Sequence, residues 1–392
     1  DDALFHEVFS NSTRSRRYFD IKFGSLPALN PNIVPHPVKE DTWIMVAQEE
    51  KVQSQRGDSK LFVELVCNAV FVKDKLVCTD PPADLPVSES EGGKCGGNVA
   101  YFNFARGPHD ARVFYGPDAP YIIYGSNSRF TCFGEFIQDM RMLVDEWSEH
   151  PEDVKLFRKG TEIQRPPPYG RIEKNWFVFW DMDNQIYAHY DTFPNRTFSR
   201  IEPDGSVGPD LALPIEQRDR TCMAKHMPKL TPQLESIHQA TNSLSISLCR
   251  RSDPDCTPSE ENTFILTLFH HKRFHYWHGV YEPLAMLFKR AAPFDMVAIQ
   301  QKPLWVSGRG PFTWRSTAHW RSRPVPKGQS EMFYVTSITW KASGQMYHGY
   351  LDDVLFIGFG IEDSRAAAID VTAEDVLKNM AFCDEYLNKF SL

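Results

Sequence analysis

The sequence predicts an all-β fold, a five-bladed β-propeller with a short C-terminal helix. Aromatic residues make up 13% of the 392 residues, and 28 Pro and 22 Gly interrupt the chain, a composition typical of many short strands joined by turns. Apolar runs with a polar end recur five times, at Trp43, Tyr121, Trp176, Phe264 and Phe333. Such recurrence indicates blades whose strand ends face a central channel. A large β-sandwich is the alternative.

The stretch 171–191 contains the clearest single element, a β-hairpin. Strand-forming residues fill 175–180 and 185–190, and Asp181–Asn184 between them favour a turn. The first run is almost entirely apolar, as expected of a strand that is covered on both faces. The rest of the chain repeats this plan, which is why we place the hairpin at the heart of one blade.

The first thirty residues differ in composition from the rest. Residues 1–30 are polar and basic around Arg14, Arg16 and Arg17, which predicts an N-terminal arm or stem. Residues 31–392 then form the catalytic β-propeller domain. The strand-forming segments expected in its first half are 42–47, 61–72, 121–124 and 133–147, with a Pro-, Ser- and Gly-rich surface loop at 79–98.

In the second half, irregular structure is expected over residues 206–235, between strand-forming segments. These segments are 196–201, 237–249, 262–272, 280–288, 331–340 and 350–371. A helix is expected to close the chain, with Thr372 as its N-cap and Glu374 and Asp375 in its first turn. The apolar face of this helix would be formed by Val376, Leu377, Met380 and Leu387.

Charge and hydropathy exclude two classes of partner. The net charge of −8 argues against a nucleic-acid-binding surface. Apolar runs are too short to span a bilayer, so membrane attachment would require an anchor outside this chain. Because Asp1 rather than Met begins the sequence, we expect an upstream segment, either a signal peptide or the anchor of a type II membrane protein.

The cysteines and two glycosylation sequons predict the compartment. The eight cysteines show no C-x-x-C metal spacing. Cys249 and Cys256 flank a polar loop that a disulfide could close, and a Cys67–Cys78 bond could staple a hairpin. Acceptor sequons begin at Asn11 and Asn195. Together these features favour the lumen of the Golgi or secretory pathway over the cytosol.

Radial blades would bring the polar strand ends together at the mouth of the channel. The residues concerned are Asp118, Glu173, Lys174, Asn175, His238, Gln239, Asn242, His270, His271, Asp352, Asp353, Glu362 and Asp363. This mixture suits a sugar phosphate or sugar nucleotide, because Lys and His neutralise phosphate, Asn and Asp bind hydroxyls, and one carboxylate acts as base. The structural alternative is that the histidines are surface residues and that the acidic pairs and Asp118 are turn residues.

Three other kinds of site find no support in the sequence. The acidic pairs lack the tight triad spacing of a metal site, which leaves metal dependence open. Gly358 and Gly360 alone do not make a Gly-rich phosphate loop, and a G-x-S-x-G nucleophile motif is absent.

Four long segments resemble the fungal β-mannosyltransferases, which add β-1,2-linked mannose to cell-wall mannan from GDP-mannose. The segments read EKNWFVFWDMDNQIYAHYD, IHQATNSLSISLCRR, EMFYVTSITW and GYLDDVLFIGFGIEDSRAAAIDV. The likeness runs from about Asn32 to the C-terminus.

More distantly, the sequence resembles the five-bladed β-mannoside phosphorylases. GPDAP at 116–120 is similar to their Gly-x-Glu-Asp-Pro-Arg loop, which carries the catalytic aspartate, although here the order is Asp-Ala-Pro-Tyr. EKNW resembles their Lys-Asn strand start, and LFHHK resembles their Tyr-His strand end, both tied to phosphate binding.

The resemblance implies an inverting transfer of mannose from GDP-mannose to a mannan or oligomannoside acceptor. Asp118 would be the base, with Glu362 and Asp363 as the next candidates. Lys174, His270 and His271 would offset the diphosphate charge, with Glu173 and Asn175 also in the donor site. Sugar would be bound by His238, Gln239, Asn242, Asp352 and Asp353. A phosphorylase or glycosidase, or a carbohydrate-binding propeller without activity, are the alternatives.

Overall fold

The computed structural model describes residues 4–49, 53–54, 60–147, 151–275, 277–312 and 328–390. Within this part of the chain the protein is mostly β-structure, which confirms the all-β class. The strands of the N-terminal half are β1 (His6–Val8), β2 (Phe19–Lys22), β3 (Ala28–Pro35), β4 (Trp43–Glu49), β5 (Gln53–Ser54), β6 (Lys60–Leu61), β7 (Glu64–Phe71), β8 (Lys75–Cys78), β9 (Ala83–Asp84), β10 (Ala105–Arg106), β11 (His109–Tyr115), β12 (Pro120–Asn127), β13 (Phe133–Asp139), β14 (Thr161–Ile163), β15 (Phe177–Trp180), β16 (Ile186–Asp191) and β17 (Thr197–Arg200).

The C-terminal half contains the longest strands and both α-helices. These elements are α1 (Glu216–His226), β18 (Glu235–Gln239), β19 (Leu244–Ser247), β20 (Thr263–His275), β21 (His278–Lys289), β22 (Met296–Gln300), β23 (Leu304–Val306), β24 (Phe333–Trp340), β25 (His348–Tyr350), β26 (Val354–Ile361), β27 (Arg365–Thr372), α2 (Ala373–Val376) and β28 (Met380–Phe382). Short 3₁₀-helices cover Gly97–Phe104, Met140–Met142, Pro151–Asp153, Leu213–Ile215 and Glu385–Phe390.

The largest sheet nearly closes on itself. Its order is β24-β26-β27-β2-β8-β7-β4-β3, with β9 added beside β7. The two ends meet through side chains, because the hydroxyls of Thr336 and Ser337 donate to the Pro31 carbonyl at 2.7 and 3.0 Å. First and last strands of the sheet therefore lie against each other.

Three further sheets supply the remaining walls. Strands β11 to β14 form an antiparallel sheet, and β15 to β17 form the predicted hairpin and its neighbour. The third has the order β25-β19-β20-β21-β22-β28, with β18 paired to β20. All four residues of β15 are buried, as the apolar sequence of this strand predicts.

The N-terminal segment is built into the sheets. β1 pairs in parallel with β23, and β2 lies between β27 and β8. Buried Asp370 of β27 accepts hydrogen bonds from the hydroxyls of Ser10 and Ser12 at 2.5 and 2.7 Å. Strands β1 and β2 therefore pair with strands that lie beyond residue 31.

Both α-helices differ from the expectation. Thr372 caps α2 as predicted, accepting from the Asp375 N–H at 3.3 Å, but the helix is a single turn. It ends before Asn379, which has φ 65°, and Met380 lies in β28 while Leu387 lies in a 3₁₀-helix. The helix α1 lies inside the segment expected to be irregular. Its few buried residues make a weak amphipathic pattern.

Four disulfides are present, and two of them were predicted. Cys67–Cys78 and Cys249–Cys256 confirm the expected pairs, and Cys95–Cys132 and Cys222–Cys383 complete the set. Such bonds indicate a secreted or lumenal protein. Among the described residues, no helix combines the length and hydropathy needed to cross a membrane. The Asn11 side chain is exposed, and Asn195 accepts from Arg220 at 2.9 Å near the surface.

Candidate active site

Two β-bulges bring Asn30 and Asp110 together at one end of the sheets. The pairing of β3 with β4 shifts between Leu29 and Asn32, and the pairing of β11 with β12 shifts between His109 and Arg112. Asn30 and Asp110 have φ values of 55° and 51°, a region that side-chain-bearing residues seldom adopt. The Asn30 amide donates to Asp110 Oδ1 at 3.3 Å. Bulges re-aim side chains and are frequent beside active sites.

Lys174 supplies the cation opposite Asp110. Its Nζ lies 2.6 Å from Asp110 Oδ2, and each of the two side chains keeps 28% of its surface exposed. The residue that follows, Asn175, has φ 63° and donates its backbone N–H to Glu135 Oε2 at 2.8 Å. This turn separates Lys174 from the buried strand β15. The pair is therefore held rigidly but remains open to solvent.

The charge of Asp110 is fixed by its cationic neighbours. Burial alone would raise the pKa of this carboxyl, but Lys174 and Arg112 outweigh it and lower the pKa to about 2. Burial likewise opposes the charge of Lys174, and the Asp110 carboxylate raises its pKa. Asp110 is therefore ionised at neutral pH.

The surrounding carboxyls show the opposite behaviour. Burial, with a smaller contribution from Asp110, raises the pKa of Glu64 well above its ordinary value. Burial raises the pKa of Glu135 to about 8 against the opposing charge of Arg112. Although Asp363 is exposed, it loses part of its hydration beside the cluster, and this raises its pKa, with smaller contributions from Asp110 and Glu362. Asp110 is thus the strongest acid in a cluster of carboxyls that otherwise retain their protons more readily.

Arg112 places a second cation beneath the pair. The side chain is buried, and its Nη1 donates to the Asp110 carbonyl at 2.6 Å while Nε donates to the Ala240 carbonyl at 3.2 Å. Among the described residues, Nη2 has no hydrogen-bond partner and no carboxylate lies within ion-pair distance of the guanidinium. The Arg112 charge acts on the Asp110 carboxylate, whose pKa it lowers, but Lys174 shares that carboxylate, so the three groups leave a net positive charge that favours an approaching anion.

Aromatic rings and a histidine form the facing wall. Tyr334 packs against Tyr281 and His270, each with ring centroids 4.9 Å from its own. His270 is fully buried, and burial lowers its pKa well below the ordinary value, so the imidazole is neutral. Its Nε2 accepts the Val335 N–H at 3.1 Å, which assigns the proton to Nδ1. That nitrogen has no partner among the described residues, so it is a free donor.

The turn from β26 to β27 borders the cluster. Glu362 and Asp363 have φ values of 52° and 46°, a strained turn for residues that are not glycine. Glu362 is buried and bound, 3.0 Å from His278 Nε2 and 2.6 Å from the Met332 N–H. Asp363 is exposed beside it. Glu362 therefore holds the turn, and Asp363 is the residue free to meet a ligand.

Several predicted residues thus come together with Asp110: Lys174, Asn175, His270, Asp363 and, behind the turn, Glu362. Others lie nearby but are committed elsewhere. Glu173 is bound to Arg165 at 3.0 Å. His271 points to the opposite face of β20 from His270 and lies 3.2 Å from Glu235, and His238 is exposed beside Ser236.

The remaining predicted residues are not part of the cluster. Asp118 lies exposed in the turn after β11, at the far end of the strand from Asp110 and roughly 20 Å along it. Asp352 and Asp353 bind Arg251 at 2.6 and 2.7 Å, beside a separate cleft of about 590 Å³. Gln239 Oε1 accepts from His189 Nδ1, and fully buried Asn242 binds the backbone of Ile338.

The sequence did contain a signal for Asp110 and Arg112. Residues 107–112 read GPHDAR, which keeps the Gly-x-x-Asp-x-Arg spacing of the Gly-x-Glu-Asp-Pro-Arg loop more closely than GPDAP does. The segment GPDAP, which has a proline after its aspartate and alanine, points instead to Asp118. No group of three or more His, Cys, Asp or Glu suited to a metal ion occurs among the described residues.

Comparison with known proteins gives weak likenesses only. No family model matches the chain, and no curated protein matches it. A β-1,2-mannobiose phosphorylase from Listeria innocua aligns with a TM-score of 0.48 and 11% identity over 90% of this chain and 92% of that one. A glycosyl hydrolase from Bacteroides ovatus aligns with a TM-score of 0.49 and 9% identity over 98% of each chain. A GDP-Man-dependent mannosyltransferase from Leishmania mexicana aligns with a TM-score of 0.41 and 10% identity over 92% of this chain and 90% of that one. Scores and identities this low assign no activity to the chain.

Proposed function

We propose that the protein is an inverting glycosyltransferase that moves mannose from GDP-mannose to a mannan or oligomannoside acceptor and forms a β-1,2-mannosidic bond. The observation that carries the proposal is the solvent-open Asp110–Lys174 pair, 2.6 Å apart, beside the Arg112 guanidinium, whose Nη2 has no hydrogen-bond partner among the described residues. One ionised carboxylate beside two cations matches an acceptor base next to a diphosphate. The choice of mannose and of the β-1,2 linkage rests on the sequence resemblance.

Asp110 takes the base role that the sequence alone gave to Asp118. In the reaction, the acceptor hydroxyl oxygen attacks the anomeric carbon, the bond from that carbon to the diphosphate oxygen breaks, and the hydroxyl proton passes to Asp110. A carboxylate whose pKa is about 2 is a weak base. Its basicity rises when Lys174 turns from Asp110 to the diphosphate, because the charge that lowers the pKa is then shared.

The other groups stabilise the leaving diphosphate. Lys174 and Arg112 offset its charge, and the free N–H of neutral His270 can donate a hydrogen bond to it without adding charge. Asn30 positions the Asp110 carboxylate from the far side. Asp363 and Asn175 are the candidates for holding the donor sugar.

Inverting hydrolysis is a poorer match to this geometry. It would need one protonated acid and one ionised base on opposite sides of the scissile bond, with room for water between them. Asp110 is ionised and could be the base, but the protonated carboxyls Glu64 and Glu135 are both buried, so neither is placed to reach a scissile bond as the acid. A phosphorylase remains the second candidate, because Lys174 and Arg112 could bind inorganic phosphate as well as a diphosphate.

The proposal also includes five radial blades, residence in the Golgi or secretory lumen, and attachment through a type II anchor. The separate antiparallel sheets β11 to β14 and β15 to β17, each of about the size of one blade, support the first, and the four disulfides support a lumenal environment. Asn11 and Asn195 would then carry glycans.

Thermal unfolding with GDP or inorganic phosphate distinguishes the two candidates. A ligand at about 100 times its dissociation constant stabilises the folded state by about 2.7 kcal/mol. We expect GDP to raise the melting temperature of the parent protein and to lose this effect in Lys174→Ala, with transfer from GDP-mannose observed in the same preparation. Stabilisation by phosphate alone, with phosphorolysis of a β-mannoside, would replace the transferase by a phosphorylase.

A further inference from the structure

We propose that an exposed aromatic rim beside the Asp110–Lys174 pair binds the mannose units of the acceptor that do not react. The aromatic rim consists of Tyr101, Phe104, Phe130 and Tyr169. This inference rests on the proposed function for the identity of its ligand, and on the following contacts for its place and shape.

The exposure of these rings is unusual for this protein. Tyr101, Phe104 and Phe130 are 60%, 48% and 47% exposed. Six Phe or Tyr side chains are exposed among the described residues, and the other three are Phe9, Phe193 and Phe274. Tyr101 and Phe104 lie one turn apart on the 3₁₀-helix Gly97–Phe104, and the Cys95–Cys132 disulfide connects the start of this helix to the loop of Phe130. Clustered exposed apolar rings mark binding sites, whereas isolated ones need no explanation.

A continuous series of ring contacts connects the aromatic rim to the reaction centre. Tyr101 stacks on buried Phe102 with centroids 4.4 Å apart, and Phe102 packs against Phe133 at 4.8 Å. Phe133 contacts the His109 ring at 5.2 Å, and His109 is the residue before Asp110. One face of Tyr101 is thus supported from below while the rest of the ring remains open.

Covalent and polar bonds hold the aromatic rim in place. The Cys95–Cys132 disulfide joins the start of the 3₁₀-helix that bears Tyr101 to the loop that bears Phe130. The Asn103 amide accepts from the N–H groups of Gly93 and Cys95, each at 3.0 Å, and donates to the Cys95 carbonyl at 2.7 Å. Rings displayed on an ordered loop lose little entropy when a ligand binds.

The same structure fixes the aromatic rim relative to Lys174. The Arg171 guanidinium donates to Asn98 Oδ1 at 3.0 Å, and the Glu173 N–H donates to the Phe133 carbonyl at 2.8 Å. Phe130 also packs against Tyr169 with centroids 6.0 Å apart. A ligand on the rim would therefore keep a constant distance from the segment that ends in Lys174.

The chemistry of the rim suits an oligosaccharide. A pyranose ring presents an apolar face of C–H groups that stacks on aromatic rings, and its hydroxyls are left for water or for polar side chains such as Arg129. The nucleotide donor is instead directed to the cations Lys174 and Arg112. The rim is thus assigned to the acceptor, and its occupation should strengthen binding of longer acceptors only.

The test compares acceptors of different length with Tyr101→Ala, Phe104→Ala and the double variant. For the double variant we expect the KM of an α-mannotetraoside to rise about tenfold, the factor that corresponds to about 1.4 kcal/mol. The KM of methyl α-mannoside and the KM of GDP-mannose should change less than about twofold. Phe9→Ala, which removes an exposed ring elsewhere, is the matched control and should behave as the parent.

A direct binding measurement separates this inference from the proposed function. Calorimetry with mannotetraose on the Asp110→Asn protein, and on the same protein carrying both rim substitutions, requires no turnover. Loss of binding only with the rim substitutions would support the rim even if GDP-mannose proved not to be the donor. Equal mannotetraose affinity in the two proteins, or a KM increase that is the same for short and long acceptors, would overturn it.

Discussion

Two ion pairs in this protein have nearly the same geometry and very different surroundings. Lys174 and Asp110 lie 2.6 Å apart with 28% of each side chain exposed, whereas Arg196 and Asp219 lie 2.8 Å apart with exposures of 0% and 3%. The Arg196 guanidinium also donates to the Phe294 carbonyl and lies over the rings of Phe198 and Phe288. Distance alone therefore does not identify a functional pair.

The difference lies in what each carboxylate can still do. Asp219 uses one oxygen for Arg196 and the other for the Met296 N–H at 2.9 Å, so it fastens α1 to β22. Asp110 has partners at both oxygens too, but these are an amide at 3.3 Å and a half-exposed lysine that a ligand can reach. A site needs a charge that is held in place and can still exchange its partner.

The largest effect is expected from Asp110→Asn. The amide keeps the shape and most hydrogen bonds of Asp110 but cannot accept the acceptor proton. Because general-base catalysis contributes about 10²–10⁴-fold, we expect transfer to fall at least about a hundredfold with GDP affinity nearly unchanged. Initial rates and GDP titrations on the same protein check this.

Asp118→Asn is the matched control for Asp110→Asn. Asp118 is exposed at the other end of β11, and we expect its variant to retain transfer within a few-fold of the parent. Collapse of activity in Asp118→Asn with normal activity in Asp110→Asn would return the base to the position chosen from sequence.

Asp219→Ala should lower the free energy of unfolding and leave the reaction itself unaffected. Removal of one partner from a buried pair leaves Arg196 charged and uncompensated, which typically costs about 3–5 kcal/mol. Urea unfolding measures this loss, and activity per folded molecule should stay near that of the parent. A decrease in the free energy of unfolding well below 1 kcal/mol would show that the buried pair does not stabilise the contact between α1 and β22.

Lys174→Ala should weaken GDP binding by about 1.5–3 kcal/mol, the scale of a hydrogen bond to a charged group. Since Lys174 is the leading charge that lowers the pKa of Asp110, the acid limb of the pH profile of kcat/KM should also move to higher pH.

His271→Ala serves as the comparison for Lys174→Ala. The sequence grouped His271 with Lys174, but its ring faces Glu235, so GDP affinity should change little. Equal weakening in both variants would move the diphosphate to the His271 face.

The effect of Glu135→Gln on stability depends on pH. The folded protein raises the pKa of Glu135 to about 8, above its unfolded value of about 4.3, so unfolding releases a proton between these two pH values. The wild-type protein therefore loses stability as pH rises through this window. Glutamine does not titrate and can still accept the Asn175 N–H. We expect Glu135→Gln to flatten this slope and to be more stable than the parent near pH 8, as denaturant titrations at pH 5 and 8 would reveal.

Elements set by local sequence were the ones that sequence reasoning could predict. The hairpin of β15 and β16 follows from an apolar run, a turn and a second run, and Thr372 caps α2 because its hydroxyl is in reach of a nearby N–H. Cys249 and Cys256 are separated by only 7 positions, so their disulfide needed no knowledge of the fold.

The role of Asp110 and the burial of α1 could not be predicted, because both depend on residues that are distant in the sequence. Lys174 is 64 positions from Asp110, and only the bulge at the start of β11 aims the carboxylate towards it. Similarly, Asp219 on α1 is buried because Arg196 compensates its charge. The sequence around each of these two residues contains no pattern that would predict the pair. The alternation of a strand explains why His270 and His271 separate, but not which of them faces Tyr334.

The position of β2 affects how the protein can be made. Phe19 of β2 pairs with Ala368 of β27, so this pairing cannot form until the chain has been synthesised past Ala368. Until then, β2 can pair with β8, but the edge of β2 that β27 later covers has unpaired backbone groups, the kind of exposed strand edge that invites aggregation. Pairing over such sequence separation is also intrinsically slow. Completion of the largest sheet is therefore expected to be a late step in folding, before which the protein is most in need of chaperones.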